Sequence, residues 1–307
     1  MRRRIYTLLV LSGLLFVYSC SKDDESEPAT STGTSSNPER DAALSDYTTN
    51  YIGSAVSSTG WTGSTATCTA GSVSQATKNA VIQRINYFRR MVGLNDQCVL
   101  DTTLYAQEQE TALIMSANHA LNHNPPNTWT CWTQTAANGA GASNLALGSN
   151  SSASVTAFIN DFGTGNEVAG HRRWILHSRK QKFSFGSTND AMALYVFLND
   201  TNTVVPEYIA YPPKGYVPQT LVFGRWSFGI PNASFASATV SMTGPSGNVP
   251  LTIVSSTDNG YGDNTLVWEP TGIDVSNTAD VAYTVTVSGI TGAAASSYTY
   301  TVKIFKP

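Results

Sequence analysis

Between Ser74 and Leu94 the apolar residues recur at helical spacing, with Ala80, Val81, Ile85, Phe88, Met91 and Val92 on one side of SQATKNAVIQRINYFRRMVGL. Ser74 can cap the first turn and Gly93 can take the left-handed conformation that stops one, so the pattern predicts a helix between them. A second helix is predicted from a cap at Asp101, through Leu104, Ala112, Leu113, Met115 and Ala117, to about Asn122. Pro125 and Pro126 end it, because proline lacks an amide donor and drives Asn124 out of the α region. A Gly/Ala-rich loop follows, then a third helix in SASVTAFINDF, then NEVAGHRRWILHSR from Asn166 to Arg179. Past Phe183, runs such as MALYVFL read as strands. Helices followed by strands predict an α+β fold, a layered α-β-α sandwich rather than a repeated βαβ array.

From about Asn232 the alternation has period two throughout: ASATVSMTG, VPLTIVSST, NTLVWEP, AYTVTVSGI and SYTYTVKIF, separated by turn residues. This predicts a small all-β sandwich of Ig-like or fibronectin-like type over 232–307, suited to spacing, stabilisation or adhesion. The stretch YIAYPPKGYVPQTLVFGRWSFGIP reads as an extended connection packed on the preceding domain, which then spans 67–231. Its aromatics are candidates for glycan contact, although core and interdomain use is the commoner role. Residues 20–66 are rich in Ser and Thr and poor in large aliphatics, so a flexible tether is expected there.

Charge narrows the partners. A net charge of −3 with only 13% charged residues excludes a global basic field, and with it nucleic acid as the expected partner. The N-terminus has a basic start and an apolar run from Leu8 to Val17, too short to span a bilayer, so residues 1–19 read as a signal peptide. The run ends in Val17-Tyr18-Ser19-Cys20, which resembles a bacterial lipobox; lipid on Cys20 would make the membrane a partner. SKDDE behind it resembles a lipoprotein surface-export signal. The expected location is extracytoplasmic, on the outer membrane and surface-exposed. With Cys20 used as an anchor, Cys68, Cys98 and Cys131 allow one disulfide and one spare thiol. If the first two helices pack antiparallel, the start of the first approaches the end of the second, which favours Cys68–Cys131.

AVIQRINYFRRMVGL, SANHALNHNPP, ASNLALG and AGHRRWIL, in this order and spacing, resemble the four sequence blocks of bacterial CAP-superfamily (SCP/TAPS, pathogenesis-related) domains. The resemblance covers about residues 67–200 and implies an α-β-α sandwich with an open cleft. In that family the cleft holds two histidines and usually two acidic residues, able to bind a divalent metal such as zinc. The matching positions here are His123 and His171, while the usual Gly-Glu-Asn block reads Ala142-Ser143-Asn144. Serine is a poor zinc ligand and no base near neutral pH, so a missing acid must come from elsewhere. Glu167, four residues before His171, is the nearest candidate and shares its face if the helix has already begun.

All four histidines, His119, His123, His171 and His177, fall within this region. His119 and His123 are spaced as ligands on one helical turn, so a three-histidine metal site stands beside the favoured two-histidine cleft and a purely structural use. His177 suits a last helical turn. Arg172 and Arg173 read as a solvated helix face or as ion-pair partners of Asp161 and Glu167, and Trp174, Ile175 and Leu176 as the apolar seat of the helix. Ser143 has no G-x-S-x-G setting, which argues against a nucleophilic serine. The expectation is a cleft formed by His123, His171, Ser143, Asn144 and Glu167 that binds a small molecule, lipid, glycan or protein without strong catalysis. A metal-assisted hydrolase using His123 and His171, with Glu167 as acid or base, is the alternative, and an adhesion or envelope-structural role the third.

Overall fold

The computed structural model describes residues 37–197 and 205–307. The signal peptide, Cys20, and the first part of the expected tether lie outside the described residues. From Asn37 to Pro307 the chain forms one compact unit.

Its first elements are a helix α1 (Pro38–Asp46), a π-helical turn over Tyr47–Tyr51 and a 3-10 turn over Ile52–Ser54. The tether expected over 20–66 is therefore structured from Pro38 onward. Composition misleads here because the segment is held by a few specific contacts rather than by an apolar face. Asn37 Oδ1 caps α1 at Arg40 N, Arg40 pairs with Asp280 at 3.1 Å, and the Arg40 guanidinium lies 4.9 Å from the Phe305 ring. Tyr47 and Tyr51 stack at 5.1 Å, and Tyr51 carries the Arg84 guanidinium on its face.

Helix α2 spans Gln75–Met91, with Ser74 Oγ accepting from Thr77 N at 3.1 Å and Gly93 at φ +77°, as the spacing predicts. A short strand β1 (Val99–Leu100) leads to α3 (Tyr105–Asn118). This helix starts later and ends earlier than predicted. Asp101 closes a turn on Thr103 instead of capping the helix, and His119 stops it in the left-handed conformation at φ +47°. Within the Gly/Ala-rich stretch lies an unpredicted helix α4 (Gln134–Ala140), capped by Thr133 Oγ1 on Ala136 N. Strand β2 (Ser143–Leu147), α5 (Ser151–Asn160) and α6 (Gly170–Ile175) follow, then β3 (Lys182–Phe183), β4 (Phe185–Ser187) and β5 (Ala191–Tyr195).

Strands β2, β5 and β4 form an antiparallel sheet in that order. Period-two alternation sends Leu145, Ala191 and Ala193 to one face, against Ala112, Ile114 and Met115 of α3 and Ala136 and Ala140 of α4. Ala146, Met192 and Leu194 go to the other, against Val81, Ile85 and Phe88 of α2 and Val155, Phe158 and Ile159 of α5. This is an α-β-α sandwich. Gly186 lets β4 cross α3 closely, since a Cβ there would collide with the Glu108 backbone. Cys68 and Cys131 form a disulfide that ties the strap before α2 to the loop after α3. Cys98 is buried, with its Sγ near the Asn95 and Lys180 carbonyls.

The remaining strands are β6 (Ile209–Tyr211), β7 (Gly215–Pro218), β8 (Trp226–Gly229), β9 (Thr239–Gly244), β10 (Gly247–Asn248), β11 (Leu251–Ser255), β12 (Thr265–Pro270), β13 (Val281–Ser288) and β14 (Ser297–Phe305). They make a five-stranded sheet, β10-β9-β13-β14-β7, and a four-stranded sheet, β11-β12-β8-β6. All pairings are antiparallel except β14 with β7. Trp226, Phe228, Leu266 and Trp268 of one sheet share a core with Met242, Val285, Tyr300 and Val302 of the other. The strands expected past residue 232 are all present. The stretch read as a connection differs: β6, β7 and β8 are strands of these same sheets, so the sandwich draws on both sides of residue 232. Pro212, Pro213 and Pro218 cut that stretch into runs too short to read as strands. Trp226, Phe228 and Tyr211 are fully buried, which removes them as glycan contacts.

Candidate functional site

A cleft of about 370 Å³ opens where the loop after α3, the start of β2 and the segment entering α6 converge. His123, Ser143, Asn144 and His171 line it. Sequence reasoning names all four.

His123 sits in the loop that the two prolines force out of helix. Its Nδ1 lies 2.8 Å from the Ala140 carbonyl at the end of α4. A carbonyl only accepts, so Nδ1 carries a proton, and in the neutral ring Nε2 keeps its lone pair. His171 stands in the first turn of α6, with its ring stacked on Phe158 at 5.5 Å. Its Nδ1 donates to Asp161 Oδ1 at 2.7 Å, and the other carboxylate oxygen of Asp161 accepts from Arg172 N at 3.1 Å. Asp161 is itself buried, in the left-handed conformation at φ +50° that ends α5. Both imidazoles are thus held in the tautomer that leaves Nε2 as an acceptor, without a protein partner among the described residues.

Behind Ser143, away from the cleft wall, lies a buried carboxylate. Ser143 Oγ donates to Glu108 Oε2 at 2.6 Å, and Gln107 Nε2 donates to Oε1 at 3.1 Å. Glu108 is fully buried on α3, and burial pushes its carboxyl up to about 7 against the opposing hydrogen bonds from Ser143 and Gln107. The signal for it was present in the sequence. Glu108 falls midway between Leu104 and Ala112 on the apolar stripe of α3, where a carboxylate must face the interior.

The other named residues lie elsewhere. Glu167 precedes α6 in a turn, and its carboxylate accepts from Gly165 N at 3.0 Å; it is not on the cleft wall. The helix begins only at Gly170, which removes the shared face with His171. His119 is the exposed C-cap of α3 and also lies off the cleft. His177 is buried after α6, 3.7 Å from Asp263, and burial lowers its pKa. Among the described residues no three of His, Cys, Asp and Glu group to hold a metal ion. Two imidazole nitrogens fall short of the three protein ligands that a catalytic zinc keeps, so this donor set does not make a zinc centre.

Arg172 and Arg173 are buried, not a solvated face. Arg172 donates to the carbonyls of Ile159 and Asn160 and to Ser227 Oγ of β8, and burial pulls its pKa down to about 10. Arg173 donates to the carbonyls of Asp258 and Asp263, in the turn between β11 and β12. Arg225, just before β8, donates to the carbonyls of Asp161 and Gly163. The β-sandwich therefore clamps both edges of the segment that carries His171. Ile175 and Leu176 seat α6 in the core, but Trp174 is half-buried and lines the cleft, with Phe197 edge-on to it at 5.1 Å. Tyr261, from the β11–β12 turn, completes that wall. No local pattern in DNGYGDN marks it; only the tertiary fold brings it there.

Residues 82–199 match the family model CAP, the Cysteine-rich secretory protein family. The match supports a CAP-type domain over that segment, and both cleft histidines fall within it. Tyr261 lies beyond the matched segment. No curated protein and no solved structure matches the chain.

Proposed function

We propose that the chain is a lipid-anchored, extracytoplasmic ligand-binding protein whose CAP cleft receives a hydrogen-bond donor on His123 Nε2 and His171 Nε2. The observation that carries this reading is the pair of Nδ1 hydrogen bonds, to the Ala140 carbonyl and to Asp161, which leave two acceptor nitrogens bordering one cleft. Binding is favoured over hydrolysis because no carboxylate among the described residues lines the cleft: Asp161 is spent on His171 and Arg172, and Glu108 on Ser143.

The Asp161–His171 pair is the one observation that favours a hydrolytic reading, since it resembles the orienting pair of a general base. The lipid anchor rests on Val17-Tyr18-Ser19-Cys20, and an Ig-like module at the C-terminal end would act as spacer and scaffold. A saturation-transfer NMR screen of neutral fragments tests the main reading. Hits bearing hydroxyl or amide donors are expected to lose binding in His123→Ala and His171→Ala; hits indifferent to both histidines contradict it. Hydrolysis of ester or amide substrates that is abolished in His171→Ala would favour the second reading. For the anchor, Cys20→Ala is expected to move the protein from the detergent phase to the aqueous phase on Triton X-114 partitioning, and unchanged partitioning removes the lipid.

A further inference from the structure

The cleft has two unlike walls. On one, the hydrogens are turned into the protein: Ser143 donates to Glu108, Asn144 Nδ2 to the His171 carbonyl, Asn166 Nδ2 to the Phe162 carbonyl, and each histidine Nδ1 to its own acceptor. What remains toward the cleft is the two Nε2 lone pairs, the Ser143 Oγ lone pairs and the two asparagine amides, each with its oxygen and one further N–H.

The other wall is aromatic and composite. Trp174 comes from α6, Phe197 from the residues after β5, and Tyr261 from the β-sandwich. Phe197 is 50% exposed and Tyr261 38%, so both rings keep face area for a ligand. Two glycines let the turn come this close. A Cβ on Gly170 would meet the Tyr261 ring at 2.8 Å, and Gly262, at φ +53°, would put one 2.9 Å from the Arg173 carbonyl.

Resting on the ligand-binding reading above, we infer that this composite cleft takes a ring of a neutral saccharide, its C–H face on Tyr261, Phe197 and Trp174 and its hydroxyls donating to the histidine, serine and asparagine acceptors. An acyl chain would leave those acceptors buried without donors. A phosphate, sulfate or carboxylate is excluded by a lining with no lysine or arginine among the described residues, and by acceptors that would repel it. An ammonium group finds aromatic faces on one wall only and, among the described residues, no carboxylate on the lining to balance its charge. A polyol ring supplies what this arrangement lacks: many donors, no charge and one flat apolar face. The volume of about 370 Å³ suits one or two such rings.

The test is calorimetric titration of the wild-type protein with cellotriose, chitotriose and mannotriose, and in parallel with dodecanoate and tetramethylammonium. At least one trisaccharide is expected to bind, to weaken roughly fivefold or more in Tyr261→Ala, and to stay within about threefold in Tyr261→Phe, which keeps the ring. Circular dichroism and thermal melts confirm that each variant is folded. Saccharide binding unaffected by Tyr261→Ala overturns the composite site. Dodecanoate or tetramethylammonium binding that depends on Tyr261, without saccharide binding, overturns the ligand class while leaving the cleft a ligand site. Binding of none of these probes, together with fragments that still depend on His123 and His171, sinks the saccharide alone; loss of the fragments as well sinks both readings.

Discussion

At the scale of single residues, the site depends on how each polar group is spent. A buried glutamate would ordinarily be a liability, and Glu108 is tolerated because Ser143 and Gln107 both donate to it. Its carboxyl, raised to about 7 in the folded chain against 4.5 ordinarily, binds a proton more tightly when folded. Stability is therefore full below about pH 4.5 and falls as pH rises through 7, by about 3 kcal/mol if this group acts alone. Urea unfolding at pH 5 and pH 8 is expected to show that loss in the wild type and to show it reduced in Glu108→Gln, which stays neutral. A Glu108→Gln protein with the wild-type pH slope contradicts the assignment.

At the scale of elements, the disulfide between Cys68 and Cys131 closes a loop with a sequence separation of 63, which spans α2 and α3. Cross-linking a loop of that length removes unfolded-state entropy worth about 4 kcal/mol. Reduction, or the double variant Cys68→Ser/Cys131→Ser, is expected to lower the denaturation midpoint accordingly, and an unchanged midpoint contradicts it. What was legible in the sequence follows the same scale. Helix α2 and strands β9, β11, β12, β13 and β14 were readable because each carries enough periods of one pattern between clear stop signals. Helix α4 was not, since QTAANGA has neither an apolar stripe nor a length that exceeds a loop. His123, His171, Ser143 and Asn144, singled out by their sequence blocks, all line the cleft. Glu167 was not, because its role assumed that the helix begins before it, whereas the chain turns back on Gly165 and α6 starts at Gly170. Tyr261 and the Asp161–His171 bond arise from tertiary approach and leave no periodic mark.

At the scale of the whole molecule, the α-β-α sandwich and the β-sandwich are not independent beads. Strands β6 to β8 enter the second before residue 232, α1 leans on it through Arg40 and Asp280, and Arg225 and the β11–β12 turn hold the loop around His171. Removing 232–307 would expose Trp226 and Phe228 and unpair β8 from β12. The truncated chain is expected to aggregate or to lose cooperative unfolding, and a soluble fragment with a sharp two-state transition would show that the two parts are separable. The proposed ligand binding and saccharide preference both depend on two imidazoles fixed with Nε2 as acceptor, and nitrogen-15 NMR of the neutral histidine rings reads that tautomer. The expected spectrum has His123 and His171 protonated on Nδ1 alone, with the His171 preference lost in Asp161→Asn. A proton on Nε2 of either neutral ring in the wild-type protein would overturn the tautomer assignment.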